Sequence, residues 1–131
     1  MTYLLDTNIV IYFFRNQFNL AAKFSEIQEG NLFVSEITLA ELYYGAQLSN
    51  NYKQNENLIK QFIKKVRVLS NSSSIEEFAK QKSLLRKQGN LIPDFDILIG
   101  STAITNELVL VTQNLKDFIK LDGINIEDWT N

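Results

Sequence analysis

The chain has no histidine and no cysteine among its 131 residues. Without an imidazole base or a thiolate, acyl-transfer triads and thiol nucleophiles are excluded. The usual ligands for zinc and softer metals are missing too, so a bound metal would be met by oxygen, which suits Mg²⁺ or Mn²⁺. None of the five glycines, Gly30, Gly45, Gly89, Gly100 and Gly123, falls in a spacing that cradles phosphates. ATP and dinucleotide cofactors are therefore not expected. No apolar run approaches the roughly 18 residues of a membrane span. The start Met1 to Asn8 lacks the basic segment of a signal peptide, so a cytoplasmic location away from any membrane is expected. A formal charge of −2 argues against a broad basic surface. The chemistry still open to such a chain is metal-activated water.

With 45% hydrophobic residues, the length suits one domain over residues 1–131 built on one substantial core. Short apolar runs at Tyr3 to Leu5, Leu32 to Val34, Val66 to Leu69 and Leu108 to Val111 read as strands, with Ile124 to Ile126 as a possible edge strand. Between them, helical spacing appears at Ile9 to Phe14, from Ser35 as cap through Tyr44, and from Asn55 to about Lys64. Ser74 with Glu77 matches a capping box, and Gly89 marks a C-terminal stop, framing a helix with Ile75, Phe78, Ala79 and Leu85. Asp94 after Pro93 is expected to cap the next helix, along which Gly100 and Ala103 would allow close packing on the sheet. Alternation of strand and helix predicts a three-layer α/β/α fold around a central, mostly parallel sheet of four to five strands.

Asp6, Glu41 and Asp96 each sit where a strand hands over to a helix or within two turns of it. Such points gather at the carboxyl edge of a parallel sheet, where ligands bind. Each acid also has an ordinary reading. Asp6 can be a plain helix cap, Glu41 a surface glutamate and Asp96 a first-turn acid favoured by the helix dipole. Carboxylates drawn together repel, however, and a hard cation between them would remove the repulsion.

Five segments occur in order: Leu4-Leu5-Asp6-Thr7-Asn8, Thr38 to Ala46, Pro93 to Gly100, Leu110 to Phe118, and Gly123 to Trp129. Together they resemble a PIN domain, and most of all the VapC toxins of bacterial type II toxin–antitoxin pairs. The resemblance spans nearly the whole chain. It implies a Mg²⁺- or Mn²⁺-dependent endoribonuclease, inhibited by a cognate antitoxin protein, forming a homodimer or a toxin–antitoxin hetero-oligomer. Position by position, Asp6 and Asp96 match the principal metal ligands and Glu41 the third acid. The fourth acidic position is Asn114 here, with Asp117 near enough in sequence to supply the missing charge. Asn8 matches a polar position beside the first aspartate.

Substrate RNA would need basic residues at the rim of an acidic cleft, for which Lys80, Lys82, Arg86, Lys87 and Lys116 are candidates. Tyr12, Phe13, Phe14, Tyr43 and Tyr44 read mainly as core or interface, with one of the last two available to stack on a base. Two other classes compete. A haloacid dehalogenase type phosphatase also needs Mg²⁺ and an early aspartate, but wants a second aspartate two residues on, where Asn8 stands. A catalytically weak PIN-fold binding protein is the other, kept open by Asn114.

Overall fold

The computed structural model describes residues 1–131. Its elements run β1 (Tyr3–Leu5), α1 (Thr7–Phe14), α2 (Leu20–Glu26), β2 (Leu32–Ser35), α3 (Glu36–Leu48), α4 (Tyr52–Ile63), β3 (Arg67–Leu69), a 3₁₀ turn (Ser72–Ser74), α5 (Ile75–Gln88), α6 (Asp94–Thr105), β4 (Val109–Val111), α7 (Leu115–Phe118) and β5 (Ile126–Glu127). The five strands form one sheet in the order β3-β2-β1-β4-β5. All four pairings are parallel, with Leu4 opposite Phe33 and Leu110 in the central registers.

Successive strand residues face opposite sides, and both sides are covered. Leu5, Val34 and Val111 point into a core shared with α1, α3 and α4, including Ile9, Val10, Leu42, Ile59 and Phe62. Leu4 and Leu110 point the other way, into a core with Leu85 of α5, Ile97, Ile99 and Ala103 of α6, and Phe118. Burial on two faces is why the strands read as continuous apolar runs rather than as an alternating pattern. The chain leaves β1 toward β2 and β3, then returns to place β4 on the other side of β1. That reversal puts the ends of β1 and β4 beside the crevice where open α/β sheets bind ligands.

Some local expectations are corrected. Ser74 does not form a capping box: its Oγ is buried without a partner, because the 3₁₀ turn runs straight into α5, and Glu77 instead accepts from Gln81. Asp94 is the first residue of α6 rather than its cap; Pro93 flanks the helix, and Asp94 pairs with Lys82 at 2.9 Å. At Gly100 the atoms nearest an added Cβ belong to Leu121 and Phe118. Ala79 and Ile75 face solvent, and the inward position of α5 is taken by Gln81, whose amide bonds both the carbonyl and the N–H of Asp122. Helix α2 was not expected, although Leu20, Ala21 and Phe24 recur at helical spacing; Leu20 is buried and Phe24 packs on the same core. No helix is long and apolar enough to cross a membrane.

Candidate active site

Asp6 follows β1 directly and caps α1, so the ordinary reading and the functional one hold together. Its backbone is extended, its Oδ1 accepts from the Thr7 N–H at 2.8 Å, and its Oδ2 accepts from the Thr112 hydroxyl at 2.8 Å. Burial pushes the Asp6 carboxyl above the usual carboxylate range; those two hydrogen bonds oppose the push and the nearby Glu41 charge adds to it.

Glu41 lies in the second turn of α3, which Ser35 starts by accepting from the Thr38 N–H at 3.1 Å. The side chain reaches inward along the seam to α1, where its Oε1 accepts from the Thr7 hydroxyl at 2.6 Å. Thr38 Oγ1 stands 3.0 Å from the same hydroxyl. Thr7 therefore fixes both acids, Asp6 by its backbone and Glu41 by its side chain.

Asp96 sits in the first turn of α6, partly buried, and accepts no hydrogen bond from the protein. Its carboxyl is raised to about 6, by burial first and then by the charges of Asp6, Glu41 and Asp117. A half-buried carboxylate without donors, facing three like charges, is a group whose oxygens are open to a cation. Asn114 donates through Nδ2 to Asp117 Oδ2 at 3.2 Å, and its own N–H is held by the Thr112 hydroxyl at 3.0 Å. The carboxylate of Asp117 thus joins the cluster by way of Asn114.

Asp6, Thr7, Asn8, Glu41, Asp96 and Asn114 line one open cleft of about 430 Å³, with Tyr44 and Phe95 at its margin. Another hollow of about 440 Å³ opens among Phe13, Phe24, Ile27, Leu32 and Phe62, but it holds a single acid, Glu29. Chemistry, not volume, singles out the cleft. Its acids share one space without closing on one point, and no three stand close enough to enclose an ion as they lie. Mutual repulsion accounts for that spread, since Asp6 and Glu41 turn to the donors of Thr7 and Thr112 instead. The donor set is all oxygen, which fits Mg²⁺ or Mn²⁺ and does not fit a soft metal.

Sequence reasoning placed the acids but not the basic rim. No lysine or arginine lines the cleft. Lys80, Arg86, Lys87 and Lys116 are exposed, and Lys82 is engaged by Asp94. Arg15, at the end of α1, lines the adjoining groove with Glu41 and was not foreseen. Of the two tyrosines, Tyr43 packs on the core and Tyr44 is 65% exposed at the cleft. Thr7 and Thr112 were also missed; a hydroxyl residue within two positions of the end of β1 and of β4 was the signal available.

Residues 3–124 match the PIN domain family. Ribonuclease VapC2 of Haemophilus influenzae is 37% identical over 131 residues, with 98% of each chain covered. The tRNA(fMet)-specific endonuclease VapC of Shigella flexneri is 30% identical, with 99% of each chain covered. Among solved structures, VapBC-1 from nontypeable Haemophilus influenzae superposes with a TM-score of 0.89 at 36% identity over all of both chains. Likeness along the full length, with the acids gathered at one sheet edge, shows that the chain belongs to the PIN domain family.

Proposed function

We propose that the protein is a Mg²⁺- or Mn²⁺-dependent endoribonuclease of the cytoplasm, the toxin of a type II toxin–antitoxin pair restrained by a cognate antitoxin. The observation that carries this reading is the shared cleft of Asp6, Glu41 and Asp96, in which Asp96 has no protein donor and feels the other acids. The VapC ribonuclease names of the full-length relatives and the VapBC complexes among similar structures support the activity and the partner.

Asp6 and Asp96 would hold the ion, and Glu41 would either complete its shell or serve as the proton acceptor. Such an ion lowers the pKa of bound water and neutralises charge building on the phosphate. The chain's own residues then have defined tasks. Thr112 and the Thr7 N–H fix the Asp6 carboxylate in one orientation. The Thr7 hydroxyl holds Glu41 by Oε1, which leaves Oε2 free for either task, ion ligand or acceptor of a proton from attacking water. Asn114 and Asp117 supply a neutral oxygen and a nearby charge where a fourth acid is absent. Arg15 beside Glu41 is the rim cation best placed to meet an RNA phosphate. The assembly is a homodimer or a hetero-oligomer with the antitoxin.

A catalytically weak binding protein is the second reading, favoured by the uncharged Asn114. Cleavage of RNA oligonucleotides with and without added Mn²⁺ separates the two. The wild type should cut only with metal, and Asp6→Asn and Asp96→Asn should fall to background while still unfolding in one cooperative transition. Near wild-type turnover by either variant overturns the assignment.

A further inference from the structure

The turn between α1 and α2 holds three residues in the left-handed backbone region: Asn16 at φ 55°, Phe18 at φ 57° and Asn19 at φ 56°. Asparagine enters that region at little cost, and helix ends often use it there. Phenylalanine does not, and a glycine or asparagine at 18 would turn the chain with less strain. The strained residue gains little burial in return, because Phe18 is 42% exposed. Its ring rests on Tyr12, with centroids 5.0 Å apart and planes inclined at 74°, an edge contact that braces the ring and leaves ring surface open. Tyr12 donates its hydroxyl to Gln113 Oε1 at 2.6 Å. Gln113 is exposed and directly precedes Asn114 of the cleft. With Oε1 taken by Tyr12, the side-chain amide presents its Nε2 hydrogens to an outside acceptor.

We propose that Phe18, braced by Tyr12, and Gln113 form a nucleobase subsite beside the cleft. It takes an unpaired base of single-stranded RNA, which stacks on Phe18 and accepts a hydrogen bond from Gln113 Nε2. The proposal rests on the ribonuclease reading above and adds where a base next to the cut bond is held. An exposed aromatic face beside a directed amide donor matches the two surfaces of a base, its π-face and its polar edge. The link through Gln113 sets the subsite next in sequence to Asn114, which lines the cleft with the acids.

The test measures binding of dye-labelled single-stranded RNA by fluorescence anisotropy, on an Asp96→Asn background so that nothing is cut. Phe18→Asn tolerates the left-handed backbone, so its melting temperature should equal or exceed that of the parent, while affinity falls about fivefold to a hundredfold for loss of one stacked base. Phe18→Trp should retain affinity, and Gln113→Leu should flatten any base preference. Unchanged affinity in Phe18→Asn overturns the subsite, as does equal loss in Phe18→Asn and Phe18→Trp or an effect confined to association with a protein. The nuclease reading is scored separately, from cleavage by protein that retains Asp96. Cleavage with Phe18-independent binding removes the subsite alone, whereas Phe18-dependent binding without cleavage removes the nuclease reading alone. A parent that binds no RNA overturns the subsite, and absence of cleavage by protein that retains Asp96 overturns the nuclease reading.

Discussion

The hydroxyl of Thr112 donates to Oδ2 of Asp6 at 2.8 Å, tying the ends of β1 and β4 together across 106 residues of sequence. The same hydroxyl accepts from the Asn114 N–H at 3.0 Å, so one side chain orients two positions of the cleft. Thr112→Val keeps shape and removes both bonds. Losing a buried hydrogen bond costs about 1–2 kcal/mol of stability, which a folded domain of this size survives. Outer partners of a ligating carboxylate are worth about 10–100-fold in metal affinity or activity. Thr112→Val should therefore stay folded at 25 °C by circular dichroism while Mn²⁺ affinity, read by calorimetry, drops by that range. Wild-type affinity in a folded variant would show that Asp6 needs no such support.

Asp96, raised to about 6, makes the metal-free protein sensitive to pH. A carboxyl whose folded pKa exceeds its unfolded value binds its proton more tightly in the native state, so its contribution is present at low pH and is lost as pH rises through the folded value. From about pH 4 to about pH 6 the metal-free protein should lose stability through this group. Asp96→Asn removes the penalty and should melt higher than the wild type above pH 6 but not at pH 4. Binding of Mn²⁺ near pH 6 should release protons, visible as a calorimetric heat that changes with the ionisation enthalpy of the buffer. A buffer-independent heat, or a variant that melts lower than wild type at pH 7.5, contradicts the electrostatic reading of the cluster.

Several parts of this arrangement were legible in the order of residue types. Leu4-Leu5-Asp6 reads as a strand meeting a cap because apolar burial and capping are both local, and Gly89 marks the end of α5 because φ there is 70°. The carboxylates were found for a related reason: each is tied to a strand-to-helix junction, and parallel topology gathers such junctions. What escaped depends on contacts distant in sequence. Asp94 looks like a cap, but α6 already starts at it with Pro93 in the cap position, and Gln81 looks like a surface residue until the Asp122 backbone meets it. Helix α2, with seven residues, is too short for Leu20 and Phe24 to establish a helical period on their own. Thr7 and Thr112 appear as ordinary small polar residues until folding brings Glu41 and Asp6 to them.

Asn114 stands where a fourth acid would complete the cluster, and Nδ2 ties it to Asp117 Oδ2 at 3.2 Å. Asn114→Asp would replace a donor by a second carboxylate facing Asp117 and Asp96. The two conditions should move in opposite directions. Without metal the added repulsion lowers the melting temperature, and with saturating Mn²⁺ the extra ligand charge raises it by mass action on the native state. Asp117→Asn should show the reverse pair of shifts. Differential scanning fluorimetry with and without Mn²⁺ reads all four. Shifts of the same sign in both conditions would place Asn114 outside the ion's reach.

Gly100 lies in α6 at its closest approach to the segment after α7. An added Cβ would stand 2.1 Å from Leu121 Cδ1 and 3.6 Å from Phe118 Cδ1. Two effects compete in Gly100→Ala. Alanine favours a helix interior by about 1 kcal/mol over glycine. Against this, Leu121 is 2% exposed, so its side chain has no open space to move into, and overpacking a filled core costs about 1–3 kcal/mol. The steric term should win, with Gly100→Ala less stable by about 1 kcal/mol in urea unfolding at unchanged m-value. Gly100→Ala combined with Leu121→Val, which removes the obstructing δ-methyl, should recover most of the loss. If Gly100→Ala alone proves more stable than wild type, Leu121 repacks freely and the helix propensity of alanine dominates.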